Sequence, residues 1–247
     1  MPYYTPVYGG YGTFLVDNIY FILLIPVFLL SLWAQFQVSG NFRRYSAVQN
    51  HRRLTGAQAA EAVLRAHGVY DVGIRPCRGN LTDHYDPRDN TIYLSENVYN
   101  TPTVAAVGVA AHEAGHAVQY AESYAPIKLR AAIIPVTNFG SQLAMPLILL
   151  GLVLSAFGSM SDFLIYLGIA CFGLSLVFQL VTLPVEFNAS RRALAAIEDG
   201  QLLTDEELTG ARKTLRAAAL TYVAATAVAL SQLLRLLTLF GGRRRND

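Results

Sequence analysis

The sequence predicts a mainly helical membrane protein with about four transmembrane or membrane-associated helices and a small α+β domain. Two observations indicate this fold class. The chain of 247 residues is 53% hydrophobic and only 15% charged, whereas about a quarter of the residues are charged in average soluble domains. The apolar residues are concentrated in four long stretches, and one polar region contains all five histidines. The net charge of +2 excludes nucleic acid as a principal partner, because nucleic-acid-binding domains carry a clear basic surplus.

The N-terminal region is predicted to hold an irregular leader followed by the first transmembrane helix. Residues 1–18 are rich in Tyr, Gly and Pro and show no apolar period, which favours an irregular segment at the membrane interface. Residues 19–36 contain no charged side chain and are long enough for a hydrocarbon core of about 30 Å. No basic residue precedes them, so we expect a retained anchor and no cleaved signal peptide.

The polar region, residues 40–140, is predicted to fold as the α+β domain. Thr55 and Gln58 have the spacing of a capping box at the start of a helix. The segment VGIRPC then favours a strand, and LTDHY and TIYLS, separated by the turn-forming DPRDN, favour a β-hairpin. The next helix, at about residues 103–122, contains the sequence HEAGH.

The C-terminal half is predicted to be helical throughout. Residues 142–183 contain two apolar stretches joined by GSMSD, a joint so short that it predicts an antiparallel transmembrane hairpin. Residues 184–214 read as a further helical segment that starts at Pro184, a common first-turn residue. Residues 217–240 form either a transmembrane or a re-entrant helix, and residues 241–247 form a basic tail.

The basic residues predict the orientation in the membrane. Arginines follow the first predicted span directly, at Arg43 and Arg44, and others follow the third, at Arg191 and Arg192. Because cytoplasmic loops are enriched in Lys and Arg, both segments are expected in the cytoplasm, together with the α+β domain. If the last helix is a full span, the basic tail lies outside the cell, which conflicts with this rule. A re-entrant helix would keep the tail in the cytoplasm and remove the conflict.

The HEAGH segment predicts a metal site. His112 and His116 are four residues apart and lie on one face of a helix, so both imidazoles can bind one Zn²⁺ at about 2.0 to 2.1 Å. Glu113, beside the first histidine, is the candidate general base that would accept a proton from water. The alternative interpretation is a chance pattern of structural or surface histidines.

A catalytic zinc ion needs a third protein ligand and one open position. Glu186 is the candidate, because it lies at the cytoplasmic end of a predicted span, where an ionisable residue indicates function. The alternative for Glu186 is a purely electrostatic role at a helix N-terminus. Glu122 is the rival ligand, but it lies six residues after His116 and away from the ligand face. The site would hold one Zn²⁺ per chain.

Six segments carry a resemblance to a known family: WAQFQV, LTGAQAAEAVL, LTDHYDP, AAVGVAAHEAGHAVQ, YAPIKLRAAIIPVTNFGS and LPVEFNASRRAL. In these segments the chain resembles the YugP-like neutral zinc metallopeptidases of bacterial membranes, and the resemblance covers nearly the whole chain after the leader. That family is similar in plan to the HtpX and CAAX-prenyl-protease type, in which the glutamate ligand lies in an E-F-x-A-D element. The resemblance implies a zincin-like domain of the gluzincin type, with His112, His116 and Glu186 as ligands and Glu113 as the base.

The chain departs from these relatives at two positions. Ser190 replaces the last Asp of the E-F-x-A-D element, and Asn188 stands where the YugP-like relatives are expected to have Asp. Both are candidates for holding the ligands in place, but without the charge of a carboxylate. A zinc peptidase also needs a hydrogen-bond donor that stabilises the developing oxyanion. The candidates for this donor, or for substrate binding, are His84, Tyr85 and Arg191.

The expected function is that of an integral-membrane zinc endopeptidase with its active site on the cytoplasmic side of the cell membrane. A zinc ion and a glutamate base would activate water to hydrolyse membrane-associated or unfolded polypeptides. Two alternatives use the same site: a hydrolase of non-peptide amides or esters, and a zinc-bound membrane scaffold that cuts nothing. The sequence leaves the oligomeric state open.

Overall fold

The computed structural model describes residues 10–241, apart from the side chains of residues 10–20 and 157. The elements are α1 (Gly10–Ser46), α2 (Gly56–Ala66), β1 (Gly73–Cys77), β2 (His84–Asp86), β3 (Thr91–Ser95), α3 (Glu96–Tyr99), α4 (Val104–Ala121), α5 (Ala125–Val153), a 3₁₀ turn (Ser155–Phe157), α6 (Ser159–Asp199) and α7 (Asp205–Gly241). In the described chain, α1, α5, α6 and α7 are long and apolar enough to cross a membrane. The prediction of a mainly helical protein with about four such helices and a small sheet is therefore confirmed.

Two of the predicted segments lie partly outside the described residues. Residues 1–9 of the expected leader and residues 242–247 of the expected basic tail are not described. The helix α1 begins at Gly10, so residues 10–18, which the sequence predicts to be irregular, are helical.

The described residues form two compact units. The first comprises residues 10–32, 133–180 and 224–241, and the second comprises residues 33–132 and 181–223. The second unit contains the polar region and therefore all five histidines.

In the first unit, small residues allow α5 and α6 to approach each other closely. A Cβ atom at Gly168 would lie 2.7 Å from the carbonyl oxygen of Ala144, and the Ser161 hydroxyl donates a hydrogen bond of 2.6 Å to the carbonyl oxygen of Gly151. Such contacts are typical of helix packing in membranes. Large apolar side chains remain exposed, and Phe139 is 67% exposed, which suits contact with lipid rather than with water.

In the second unit, the predicted α+β elements are present. The Thr55 side chain accepts a hydrogen bond from the backbone N–H of Gln58, and the Gln58 side chain accepts one from the Thr55 N–H, so α2 starts with the predicted capping box. The strands β2 and β3 form the predicted antiparallel hairpin, and β1 lies parallel to β3 on its other side. The strand order β1-β3-β2 leaves β2 at an edge of the sheet.

The helix α4 lies in the centre of the core of the second unit. It packs against α2 and the sheet. Its side chains Val107 and Val118 are buried together with Val63 of α2, Ile92 and Leu94 of β3 and Ile197 of α6. Full burial of one such side chain stabilises a fold by about 1.5 to 3 kcal/mol. A helix held in this way provides a rigid base for the side chains that it carries.

The helix α6 is continuous through Pro184, where the sequence predicts the start of a new helix. Proline lacks an N–H group and therefore gives up one hydrogen bond within the helix, a loss that helices in membrane proteins tolerate. With 41 residues, α6 is about 60 Å long, twice the thickness of a hydrocarbon core. Its C-terminal part carries Glu186.

Candidate active site

Three side chains from two helices meet in the second unit. The Nε2 atoms of His112 and His116 on α4 lie 3.3 and 3.5 Å from Oε2 of Glu186 on α6. One nitrogen or oxygen atom from each of the three residues lies within 4.8 Å of the other two. The structure thus brings together the three residues that the sequence singles out as candidate metal ligands.

A glycine within HEAGH allows α6 to come this close to α4. A Cβ atom at Gly115 would lie 2.7 Å from the carbonyl oxygen of Ala189, closer than real side chains permit. Ala189 is three residues after Glu186, about one helical turn. The absence of a side chain at Gly115 therefore decides how near the carboxylate of Glu186 can lie to the two imidazoles.

The carboxylate of Glu186 is buried, with only 2% of the residue exposed. Its Oε1 atom accepts a hydrogen bond of 3.3 Å from Nη1 of Arg130. Its Oε2 atom is buried and has no hydrogen-bond partner among the described residues, although a buried oxygen without a partner costs about 1 to 3 kcal/mol or more when charged. This oxygen faces two imidazole nitrogens, and two imidazoles with one carboxylate are a donor set of catalytic zinc sites. The residues therefore fit a bound Zn²⁺.

The hydrogen bonds of Gln119 determine the tautomer of His116. The Gln119 amide nitrogen donates to the backbone carbonyl oxygen of Val185 at 2.8 Å, and a carbonyl can only accept. The amide oxygen of Gln119 must then face Nδ1 of His116, 3.1 Å away, so Nδ1 carries the proton and Nε2 is directed towards Glu186. Burial lowers the pKa of His116, but the carboxylates of Glu186 and Glu113 outweigh this effect and raise it.

Ser190 and Asn188, the candidates for holding the ligands in place, each contact a residue of α4. The Ser190 hydroxyl is 3.1 Å from Nδ1 of His112 and can accept its proton. The Asn188 oxygen accepts hydrogen bonds from the Gln119 amide at 2.9 Å and from Nε of Arg192 at 2.7 Å. His112 thus faces the Ser190 hydroxyl at Nδ1, and His116 faces Gln119, whose amide is held by Asn188. These neutral groups orient the rings without adding negative charge.

The carboxylate of Glu113 is held by the edge strand. Its Oε2 atom accepts a hydrogen bond of 3.1 Å from the backbone N–H of Tyr85 on β2, and the residue is 9% exposed. The phenol of Tyr85 is directed elsewhere and donates to the side-chain oxygen of Asn90 at 2.7 Å. Burial raises the pKa of this phenol to about 12, so it stays protonated at neutral pH. Tyr85 contributes to the site through its backbone and not through its hydroxyl.

A cavity of about 160 Å³ opens beside these groups. The side chains that line it include His112, Glu113, Glu186 and Ser190, and also Tyr222 from α7. Sequence reasoning missed Tyr222 because it lies within a long apolar stretch that reads only as a membrane helix. The one available signal was a hydroxyl-bearing side chain within that stretch.

The other predicted site residues do not line this cavity. His84 is exposed, contacts the carbonyl oxygen of Thr82 through Nδ1 at 2.7 Å and stacks on Tyr93, so its contacts are local. The rival ligand Glu122 accepts a hydrogen bond of 2.5 Å from Arg192 and is absent from the cluster of His112, His116 and Glu186.

Arg191 lines a groove next to this cavity but does not line the cavity itself. The arginine that does contact the cluster is Arg130, in the first turns of α5, which sequence reasoning also missed.

Comparisons with known proteins indicate the family of the chain. The model of a family described as "Putative neutral zinc metallopeptidase" matches residues 20–241. The chain is 48% identical over 229 residues to the "Putative membrane protease YugP" of Bacillus subtilis (strain 168), an alignment that covers 92% of this chain and 100% of the relative. No solved structure matches the chain. Because the family model covers most of the chain and the relative aligns over its full length, the chain belongs to this family of neutral zinc metallopeptidases.

Proposed function

We propose that the protein is an integral-membrane, zinc-dependent endopeptidase of the gluzincin type that cleaves polypeptides at the cytoplasmic surface of the cell membrane. The observation that carries the proposal is the position of the buried Oε2 atom of Glu186, which faces Nε2 of both His112 and His116 and has no hydrogen-bond partner among the described residues. Membership in a zinc metallopeptidase family and four apolar helices support it. The arginines that follow α1's apolar stretch, Arg43 and Arg44, favour the cytoplasmic side.

The metal would be held by three side chains, with one Zn²⁺ per chain. His112, His116 and Glu186 supply two nitrogens and one oxygen, which leaves a fourth position open as in catalytic sites. When bound there, zinc polarises the scissile carbonyl group and increases the acidity of the attacking water. Arg130 holds the second carboxylate oxygen of Glu186 and offsets part of the negative charge that the two glutamates bring to the cavity.

Glu113 serves as the general base. Its carboxylate accepts a proton from the attacking water and donates it to the amine that leaves. The backbone N–H of Tyr85 holds one carboxylate oxygen, so the group has a fixed orientation before substrate binds. A structural metal site would not require a carboxylate in this position, and its presence favours catalysis over a scaffold role.

Tyr222 is the donor that we assign to the oxyanion. Its side chain lines the same cavity as Glu113 and His112, whereas the side chains of His84, Tyr85 and Arg191 do not. A hydroxyl group that donates to the developing negative charge lowers the barrier, and removal of one such donor costs about 100- to 1000-fold in rate.

The edge strand β2 offers a place for an extended substrate. Among the described strands it pairs only with β3, and its Tyr85 N–H already contacts Glu113. An extended polypeptide can add to such an edge through main-chain hydrogen bonds, which suits unfolded or membrane-associated substrates of many sequences.

Zinc content and peptide cleavage test the proposal together. The wild type, Glu186→Ala and Glu113→Gln are purified in detergent, and zinc per chain and cleavage of an unfolded protein are measured. We expect about one zinc in the wild type and in Glu113→Gln, a marked loss in Glu186→Ala, and cleavage by the wild type alone. Full cleavage by zinc-loaded Glu113→Gln would contradict the mechanism.

Two other results would favour the alternatives. Turnover of lipid esters or amides without peptide cleavage would indicate a non-peptide hydrolase. Tightly bound zinc with no turnover of either substrate class, together with stably bound partner proteins, would indicate a scaffold.

A further inference from the structure

A second depression adjoins the cavity of the candidate active site. It is a groove of about 400 Å³ between the parts of α6 and α7 that belong to the second unit. Ser190, Leu215 and Ala219 line both the groove and the cavity. The groove therefore lies next to the cavity, within reach of one extended peptide segment.

The groove combines an apolar surface with an excess of positive charge. Its apolar lining includes Phe187, which is 48% exposed, and Leu194. Three guanidinium groups also line it, those of Arg191, Arg212 and Arg216, against the single carboxylate of Glu198 among the described residues of the lining. The formal charge of these groups is +2.

The arginines are arranged at a cost to the fold. Arg212 and Arg216 are four residues apart on α7, so they lie on one face of the helix, where like charges destabilise it. Glu198 offsets this only in part, because its oxygen lies 3.7 Å from Nη2 of Arg212. The Nε atom of Arg212 is buried and has no hydrogen-bond partner among the described residues. An anionic group from outside the chain that binds beside Arg212 and Arg216 would reduce the repulsion between them.

We propose that this groove binds acidic side chains of the polypeptide substrate, so that the peptidase prefers segments in which Asp or Glu lies close to an apolar residue near the scissile bond. The inference rests on the proposed function, because it names the substrate class for the same site. The position of the groove next to the cavity favours a substrate segment over an anionic lipid headgroup as the occupant. The apolar lining and the arginines then bind different side chains of one segment.

Peptide binding, measured separately from cleavage, tests this inference. Two fluorescent peptides with blocked ends and the same apolar residue differ only in carrying Glu or Gln beside it. Their affinities for detergent-purified Glu113→Gln are measured by fluorescence anisotropy. We expect the Glu peptide to bind about two- to fivefold more tightly, the effect of one favourable ion pair at a protein surface.

Substitutions in the groove identify the source of the preference. Added to the same background, Arg216→Gln or Arg191→Gln should reduce the preference for the Glu peptide towards one. Lys213→Gln is the matched control, because Lys213 is exposed on the same helix but does not line the groove, and it should leave the preference unchanged.

The outcomes separate this inference from the proposed function. Equal affinity for the two peptides, or no binding of either, overturns the inference even if the wild type cleaves peptides. Equal affinity combined with loss of co-purified phosphatidylglycerol in Arg216→Gln would assign the groove to lipid and also overturn it. A charge preference that depends on the arginines would support the groove even if the wild type cleaved no peptide, and only the proposed function would then fail.

Discussion

Replacement of Gly115 by alanine would test how the approach of α6 to α4 builds the site. The added Cβ atom would lie 2.7 Å from the carbonyl oxygen of Ala189, whereas ordinary contacts begin at 3.4 Å, so the two backbones must separate by about 0.7 Å. Metal–ligand distances tolerate deviations of only about 0.2 Å, and Glu186 lies one turn before Ala189. We therefore expect zinc affinity to fall about 10- to 100-fold, as when an orienting partner of a ligand is lost.

Gly108→Ala is the matched control for this experiment. Gly108 lies on the same helix, and a Cβ atom there would meet the Cβ atom of Ala211 at 3.4 Å, an ordinary contact. Both substitutions favour the helical backbone by about 1 kcal/mol, so only the contact with α6 differs. Zinc affinity is measured by competition with a chelator in detergent, and thermal unfolding checks that both variants fold. If Gly115→Ala binds zinc as tightly as Gly108→Ala and the wild type, the close approach of α6 does not control the site.

Three further substitutions test individual contacts. Gln119→Leu removes the acceptor for Nδ1 of His116 and should lower zinc affinity about 10- to 100-fold in the same competition assay. Unchanged affinity would mean that another group orients the imidazole ring. Tyr222→Phe should lower kcat per bound zinc about 100-fold or more, and full activity would exclude the hydroxyl from catalysis. Tyr85→Phe removes the hydrogen bond to Asn90 and should lower the free energy of unfolding, measured by chemical denaturation, by about 1 kcal/mol. Activity should be retained, because the backbone N–H of residue 85 still contacts Glu113. A large fall in kcat would show that the phenol takes part in the chemistry.

The sequence by itself determined the features that depend on neighbouring residues. The capping box of Thr55 and Gln58, the hairpin around the DPRDN turn and the helix that carries HEAGH all follow from local hydrogen bonding, turn chemistry and apolar spacing. The long apolar stretches likewise determined the four helices that can cross a membrane, since length and composition suffice for that prediction. The position of His112 and His116 on one helical face is also local.

Only the tertiary structure decided which distant groups complete the site. Arg130 and Tyr222 lie far from each other and from Glu186 in the chain, and nothing in their local sequence shows that they face Glu186 and the cavity. Gln119 lies about one turn after His116 on the same helix, but its contacts with Val185 and Asn188 join distant parts of the chain. The contact of Glu113 with a backbone N–H leaves no trace in the sequence, because every residue except proline offers that group. The close contact at Gly115 depends on the packing of α6 against α4, and packing is a property of the folded chain.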